Sequence, residues 1–331
     1  MAKGDYLLGV DTGFSKSVVT VSDSSGRVLA TVRGAGVMLF GPPTPDQVAV
    51  VGELISRVCD TAGIERDRLG HVGAGMCGVD LPKDWEDQHR VLCSGLGLDR
   101  ETTVLVNDAI VALWGATGAG RATIVQQGSA FTSAYRGTMG EEELFDPFDH
   151  ARLVDLRKEA LARVVRMLDG RAVRTPFADR FLEHFGVTNI EGLYELLAEP
   201  RGIGWRLLST IVGVVSTAWV EGDPIATELV EALATDLAVT VRAMAVRIGE
   251  GPFEAAFGGG VIERLPSSFL ALVSRELTGL CPQASTVGIA LPPEQGALVM
   301  AGHAAGMDPG ELFAALVTES RSGDLARTAN Q

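Results

Sequence analysis

Short apolar runs rich in β-branched residues open the chain and predict three strands joined by tight turns, at 6–10, 17–22 and 27–33. Thr44 and Pro45 then predict a helix start, because Thr is a favoured N-cap and Pro a favoured first helical residue. Apolar residues recur at helical spacing beyond them. The opening pattern is therefore three strands followed by an amphipathic helix.

Strands and helices alternate over the rest of the first third, which predicts an α/β fold. Strands are predicted at 71–77 and 102–106, and helices at 84–96 and 109–116. Glycines at 118 and 120 indicate a hinge, and strands at 123–126 and 130–136 then repeat the opening pattern. With about 150 residues per domain, 331 residues predict two domains, which we place at 1–118 and 119–331.

Helices dominate from 151 to 249, and we predict a helical insertion in the second domain at about 151–220. The clearest helix begins at Asp223 and Pro224 and ends at Gly249. A strand at 253–257 and helices at 266–278 and 292–305 follow. The polar residues from Ser320 onward are expected to fray.

The net charge of −14 argues against a nucleic-acid or anionic-membrane partner, because the field of the whole protein repels phosphate polymers. The four cysteines form no CxxC pair and no zinc or iron–sulfur spacing, which favours a reducing compartment. Apolar runs are too short for a signal peptide or a membrane span. We therefore expect a cytoplasmic protein.

Asp11, Gly13, Ser15 and Lys16 lie between the first two predicted strands. Glycine lets backbone N–H groups approach an anion, and Ser15 and Lys16 add a hydroxyl and a positive charge. Asp11 is placed to hold a magnesium ion through water. The segment is not a P-loop, and an ordinary polar hairpin is the alternative interpretation.

Asn107 and Asp108 follow a buried strand at the point where a helix begins. Active-site residues gather at such strand ends, and a carboxylate there can accept a proton from a substrate hydroxyl. The alternative is that one of the two residues simply caps the helix, which is their commoner role.

Two glycine-containing turns follow predicted strands of the second domain. Gly128 and Ser129 are a weak phosphate-binding signal, and Gly258, Gly259 and Gly260 allow close approach of a flat ligand or a phosphate. Each turn also fits an ordinary tight connection. The order of the four segments is that of a two-domain ATP-binding cleft.

These segments resemble the N-acetylglucosamine kinase group of the BadF/BadG/BcrA/BcrD-type ATPases, over about residues 5–310. Segment 11–17 resembles the family's first phosphate loop, usually Asp-Gly-Gly-Gly-Thr-Lys-Thr, although Thr12 and Phe14 replace two glycines. Gly128 and Ser129 match the end of the second phosphate loop, usually Gly-Thr-Gly-Ser. Segments 75–80, 107–109 and 258–260 resemble the family's Gly-x-x-Gly strand end, catalytic Asp segment and adenosine loop.

The resemblance implies an α/β, two-domain actin-like ATPase fold (ribonuclease H-like), with an ATP cleft between the domains. It implies ATP and Mg²⁺ as cofactors, a small-molecule sugar substrate and a homodimer. Asp108 becomes the catalytic base and Asp11 the metal ligand. The implied nucleotide contacts are Asp11, Thr12, Gly13, Ser15, Lys16, Gly128, Ser129, Gly258, Gly259 and Gly260. The predicted substrate contacts are Gly78, Asp80, Asn107, Asp108 and Asp149.

Two departures affect the sugar side of the resemblance. The family's Asn after the third strand is missing from 34–38, and its Gly-Gly-Trp-Gly and Gly-Asp-Glu-Gly motifs are missing from 141–150. We expect an ATP-dependent kinase that phosphorylates an amino sugar, N-acetylglucosamine or glucosamine. The retained Asp108 favours this function, whereas the missing motifs favour a catalytically inactive nucleotide- or sugar-binding sensor.

Two other functions of the same fold fit the cysteines poorly. A dehydratase-activating ATPase needs cluster-ligating cysteines near glycines, and Cys77 beside Gly78 is the only candidate. At a buried strand end, Cys77 is better interpreted as a core residue. ROK-type sugar kinases carry a Cys-rich zinc motif that this sequence does not contain.

Overall fold

The structure, a computed structural model, describes residues 4–128, 131–146, 154–198 and 210–328. Within these ranges, two five-stranded mixed sheets are surrounded by helices. The first sheet has the order β3-β2-β1-β4-β5. Its strands are β1 (Tyr6–Thr12), β2 (Ser17–Asp23), β3 (Val28–Gly34), β4 (Leu69–Met76) and β5 (Thr103–Val106).

The second sheet repeats the topology of the first, with the order β8-β7-β6-β9-β10. Its strands are β6 (Ala122–Gln127), β7 (Phe131–Arg136), β8 (Glu142–Leu144), β9 (Phe253–Gly258) and β10 (Ala284–Val287). In each sheet the first three strands pair antiparallel. The fourth strand pairs parallel with the first, and the fifth pairs parallel with the fourth. The predicted repeat of the opening pattern is therefore confirmed.

The helices lie between and outside the sheets. They are α1 (Pro45–Ala62), α2 (Pro82–Leu96), α3 (Asp108–Ala116), α4 (Leu156–Leu168), α5 (Pro176–Phe185), α6 (Ile190–Leu197), α7 (Ile211–Val220), α8 (Pro224–Ile248), α9 (Ser268–Leu280), α10 (Pro293–Ala304) and α11 (Pro309–Thr328). The predicted starts of α1 and α8 are confirmed, because Thr44 and Asp223 accept hydrogen bonds from first-turn N–H groups.

The last helix is anchored in its first half. α11 runs from Pro309 to Thr328, and fraying from Ser320 onward stays a prediction. Leu312 and Leu316 are buried in the core, and Glu319 accepts a hydrogen bond of 3.1 Å from Val28 N. These long-range contacts anchor a helix whose local sequence is polar. β8 and β10 were not predicted, because three or four residues are too few to show a clear alternation.

α3 and α10 pack against each other, and α3 contacts strands of both sheets. Glycines allow this close packing. A Cβ at Gly9 would lie 2.1 Å from Glu294 O, and one at Gly73 would lie 2.1 Å from Ala297 O. α10 therefore covers the first sheet, although the predicted boundary assigns it to the second domain. The boundary itself stays a prediction.

The segment that joins α3 to β6 is tied to the second sheet. Arg136 is fully buried, and its Nη2 donates to Thr117 O at 3.0 Å and to Ala119 O. The Arg136 guanidinium also lies over the ring of Trp114, 5.0 Å from its centroid. The hinge predicted at Gly118–Gly120 overlaps this tied segment, and its role as a hinge stays a prediction. Across the described ranges, the helices lack an apolar stretch long enough to cross a membrane.

Candidate active site

Three aspartates gather where the parallel strands of the first sheet end. Asp11 lies near the end of β1 with 8% of its surface exposed, and Asp108 follows β5 as the first residue of α3. Asp80 follows β4, in the segment leading to α2. Because the carboxyl ends of parallel strands meet at one edge of a sheet, residues far apart in sequence form one site.

Asn107, not Asp108, caps α3. Its Oδ1 accepts from Ala109 N at 2.8 Å, and its Nδ2 donates to Asp80 Oδ1 at 2.7 Å. The capping alternative is therefore correct for Asn107 only. Asp108 Oδ1 is buried without a hydrogen-bond partner among the described residues. An orphaned buried carboxylate oxygen costs stability, and this oxygen could accept a hydrogen bond from a bound ligand.

Burial and neighbouring charges disfavour ionisation at this edge. Burial, followed by the Asp80 charge, raises the pKa of Asp108 to about 6, against the opposing effect of nearby backbone N–H groups. Burial, followed by the charges of Asp108 and Glu294, raises the pKa of Asp11 to about 8, while Lys16 opposes the shift. At neutral pH these shifts keep Asp11 largely protonated and leave Asp108 mostly ionised.

Cys77 lies among these carboxylates, directly after β4. Its N–H donates to Thr12 O at 3.0 Å, and its carbonyl accepts from Leu39 N at 2.8 Å. Burial, then the charges of Asp108, Asp80 and Asp11, raises the pKa of the Cys77 thiol to about 12. The thiol therefore stays protonated at neutral pH and is a poor nucleophile.

The β1–β2 turn presents its polar residues at the same edge. Gly13 N donates to Lys16 O at 2.9 Å, so this N–H is used within the turn. Ser15 and Lys16 are exposed, whereas Thr12 is fully buried with its hydroxyl unpartnered. The structure thus places two of the predicted phosphate contacts at the surface and the Thr12 side chain in the core.

The corresponding edge of the second sheet is built from backbone and glycine. Gly128 follows β6, and Gly258–Gly260 end and follow β9. Gly259 has φ +89°, and a Cβ there would lie 2.5 Å from Gln127 O. Only glycine fits such a position without strain. Two predicted site residues, Ser129 and Asp149, lie outside the described residues.

One short segment joins the two edges. A Cβ at Gly258 would lie 2.3 Å from Ile289 Cδ1, and five residues later the Glu294 backbone packs on Gly9 of β1. Five extended residues span at most about 18 Å. The glycine edge and the acidic edge therefore border the same region of the molecule.

Glu294 is a site residue that the sequence analysis missed. Burial raises its pKa, while Lys16 and Arg33 oppose the shift. It lies in the first turn of α10, where an acidic residue is so common that the sequence alone carries no signal of its role.

These residues fit a magnesium nucleotide. A cation beside the buried Asp11 carboxyl would favour its ionised form, and the backbone at Gly260 is approachable, because a Cβ there would meet no atom nearer than Arg264 Nη1 at 3.8 Å. Among the described residues, no three His, Cys, Asp or Glu side chains form a group suited to a metal ion. Mg²⁺ is commonly held by one or two carboxylates together with water and substrate phosphates, which needs no such group.

The chain is similar to known proteins over most of its length. The sequence model of the BadF/BadG/BcrA/BcrD ATPase family matches residues 8–301. An N-acetylmuramic acid/N-acetylglucosamine kinase of Clostridium acetobutylicum is 23% identical over 248 residues, which cover 72% of this chain and 79% of that protein.

Solved structures show the same fold. A provisionally named N-acetylglucosamine kinase of Chromobacterium violaceum aligns with a TM-score of 0.63 at 20% identity, covering 90% of this chain and 99% of that chain. A ROK family glucokinase of Streptomyces griseus, solved with glucose and AMPPNP, aligns with a TM-score of 0.56 at 22% identity, covering 91% and 99%. The predicted two-domain, actin-like α/β fold is confirmed.

Proposed function

Because the chain belongs to the BadF/BadG/BcrA/BcrD ATPase family, we propose that it transfers the γ-phosphoryl group of MgATP to a hydroxyl of an amino sugar, N-acetylglucosamine or glucosamine. The observation that carries this proposal is the buried Asp108 Oδ1 at the N-terminus of α3, which has no hydrogen-bond partner among the described residues while Asn107 caps the helix. The name of the Clostridium relative supports the class of acceptor.

Asp108 takes the proton of the acceptor hydroxyl in this proposal. Its raised pKa of about 6 leaves it ionised at neutral pH and more basic than an exposed carboxylate. A general base works best when its pKa lies near the operating pH. Asn107 keeps the base in place, because it holds the start of α3 and the Asp80 carboxylate together.

The nucleotide lies between the two edges in this proposal. Asp11 holds magnesium through water, Ser15 and Lys16 bind phosphate oxygens with the backbone at Gly128, and Gly259 and Gly260 leave room for adenosine. When bound, MgATP supplies the phosphoryl group and a metal ion that neutralises charge as it develops. Lys16 supplies positive charge to the phosphates in this proposal. In the protein, its charge already acts on the Asp11 and Glu294 carboxyl groups.

The domain boundaries, the cellular location and the oligomeric state are part of the same proposal. We place the domains at 1–118 and 119–331, with the nucleotide between them, and expect a cytoplasmic homodimer. A cleft that closes around its substrates would exclude water and limit futile ATP hydrolysis.

The test is ADP release with MgATP against a panel of amino sugars and hexoses. We expect sugar-dependent turnover that falls about 10³-fold in Asp108→Asn, since a general base contributes 10²–10⁴-fold, with ATP binding retained. Asp99→Asn is the matched control, because Asp99 caps a turn at the opposite end of β5. Equal loss of turnover and ATP binding would overturn the role of Asp108. ATP binding without turnover on any sugar would favour the sensor.

A further inference from the structure

Two side chains on one face of α2 fix this helix to the edge of the first sheet. Trp85 Nε1 donates to Leu105 O at 2.8 Å, and His89 Nε2 donates to Thr103 O at 2.9 Å. Both carbonyls belong to β5, the edge strand that leads to Asp108. α2 is therefore held in a defined position relative to the proposed base.

Gln88 lies between these two residues of α2, and its side chain is buried. Its Nε2 donates to Gly78 O at 3.1 Å and to Gly41 O at 3.2 Å. Carbonyl oxygens only accept, so the amide nitrogen of Gln88 must face them. Gln88 Oε1 is buried without a hydrogen-bond partner among the described residues, which costs stability. An apolar side chain would avoid this cost, so what the amide supplies at this position is its two donated hydrogen bonds.

The two carbonyls belong to segments that pack directly on each other. Leu39 N donates to Cys77 O at 2.8 Å. Gly78 has φ +91°, and a Cβ there would lie 2.0 Å from Leu39 O. Gln88 therefore joins the segments 39–41 and 77–78 to each other and to α2.

The segment from Gly78 to Asp80 is held at both ends. Gln88 binds the carbonyl of Gly78, and Asn107 Nδ2 donates to Asp80 Oδ1 at 2.7 Å. Asn107 directly precedes Asp108, and Gln88 lies on a helix fixed to β5. Both ends are thus referred to the strand and helix that carry the proposed base.

We infer that Gln88 is a positioning residue for the sugar, because its two hydrogen bonds hold Gly78 to Asp80 in the arrangement that binds the substrate. The inference rests on the proposed function, in which this segment contacts the sugar. A segment that is held before binding need not be ordered by the ligand, so preorganisation increases affinity without a new contact. Gln88 acts through the two backbone carbonyls and touches no substrate.

The experiment compares the wild type with Gln88→Met, using N-acetylglucosamine and glucosamine as substrates. Methionine keeps the length of the side chain and removes its polar groups, so Gly78 O and Gly41 O lose their partner. Two net hydrogen bonds correspond to roughly tenfold, so we expect KM for the sugar to rise by about that factor. Both kcat and KM for ATP should change less than about threefold.

Asn189→Ala controls for a general loss of stability. Asn189 Oδ1 accepts from Gly192 N at 2.9 Å at the start of α6, outside the first sheet. This variant should lower the midpoint of urea unfolding and leave KM for the sugar unchanged. If Gln88→Met raises the two KM values equally, or alters neither, Gln88 serves only the fold and the inference is wrong.

Hydrogen exchange of the wild type tests the inference if Gln88→Met does not fold. Because Gln88 joins the two segments, the bound sugar should slow amide exchange in 39–41 and in 77–80 together. Protection of one segment alone, or of neither, would overturn the inference.

Calorimetric titration of each sugar in the presence of AMPPNP distinguishes failure of the inference from failure of the proposed function. If no sugar is phosphorylated, the kinase proposal fails. A sugar that binds the wild type about tenfold more tightly than Gln88→Met would still support the positioning role. Equal binding to the two proteins, or binding of neither sugar, would overturn it.

Discussion

The two sheets share one topology and differ in what their carboxyl edges present. The first edge carries Asp11, Asp80 and Asp108, whose carboxylates lie close enough to disfavour one another's ionisation. The second edge presents Gly128 and the run Gly258–Gly260. The same fold thus presents carboxylates at one edge and glycine backbone at the other. This division suits a ligand with a charged reacting end and a flat, bulky remainder.

Substitutions at the two edges should also change the free energy of unfolding in opposite directions. Glycine at the second edge is required by backbone geometry, so its replacement should weaken both the fold and binding. The carboxylates at the first edge are held against their electrostatic preference, so their replacement should strengthen the fold while removing activity. Four predictions test this contrast.

The largest effect is expected for Gly259→Ala. The residue has φ +89°, and the new Cβ would lie 2.5 Å from Gln127 O and 2.8 Å from Gln127 N. We expect KM for ATP to rise at least about tenfold and the free energy of unfolding to fall by roughly 2–3 kcal/mol. Gly279→Ala, in open space on α9, is the control and should change neither quantity appreciably. Unaltered ATP affinity in Gly259→Ala would remove the second edge from the nucleotide site.

Asp11→Asn should make the protein more stable and inactive. Because the folded state raises the pKa of Asp11 to about 8 from 3.8, the native state binds the proton more tightly than the unfolded state. Stability contributed by this group is present below pH 4 and is lost as the pH rises towards 8. The variant should therefore gain on the order of 2 kcal/mol in urea unfolding at pH 9, and nothing near pH 4.

Asp23→Asn is the contrasting control. Although partial burial opposes it, hydrogen bonds from Ser25 and Arg27 lower the pKa of Asp23. Its carboxylate therefore stabilises the fold above the unfolded pKa, and the variant should lose stability at neutral pH. If both variants shifted stability in the same direction, the electrostatic account of Asp11 would be wrong.

The pH dependence of kcat/KM for the acceptor should show an acidic limb set by Asp108. Protonated Asp108 cannot accept the hydroxyl proton, so the rate should fall about tenfold per pH unit below its pKa of about 6. Asp80→Asn should move this limb to lower pH, because the Asp80 charge contributes to the raised pKa. A profile flat down to pH 4.5 with saturating MgATP would contradict the assignment of the base.

The smallest effect is expected for Phe40→Ala. Phe40 is 82% exposed, and its neighbours Leu39 and Gly41 are hydrogen-bonded to Cys77 and Gln88. These hydrogen bonds tie the segment around Phe40 to the residues between β4 and Asp80 and to α2. We expect the acceptor KM to rise about threefold, as for loss of one aromatic contact, with KM for ATP unchanged.

Val173→Ala is the control for Phe40, because Val173 is similarly exposed, at 86%, between α4 and α5. It should alter neither KM. An equal rise in both KM values for Phe40→Ala would show that the loop supports the whole site rather than the acceptor side.

The sequence by itself determined the elements whose signals are local. Thr44 and Asp223 indicated helix starts because a cap acts on residues two or three positions away. Apolar runs and turn residues indicated the first hairpin of each sheet, and so the repeat of the opening pattern, although β8 and β10 were missed. The junction of β5 and α3 also marked Asp108 as a candidate, since the change from strand to helix is visible along the chain.

Only the tertiary structure decided which side chains cap a helix and which segments come together at the site. Asn107 takes the cap because Asp80, 27 residues earlier, accepts from its Nδ2. Glu294 joins the site because Gly9 and Gly73 let α10 pack directly on β1 and β4. The first half of α11 is anchored because Leu312 and Leu316 are buried in the core. In each case the deciding contact joins segments distant in sequence, and local propensity and periodicity hold no information about such contacts.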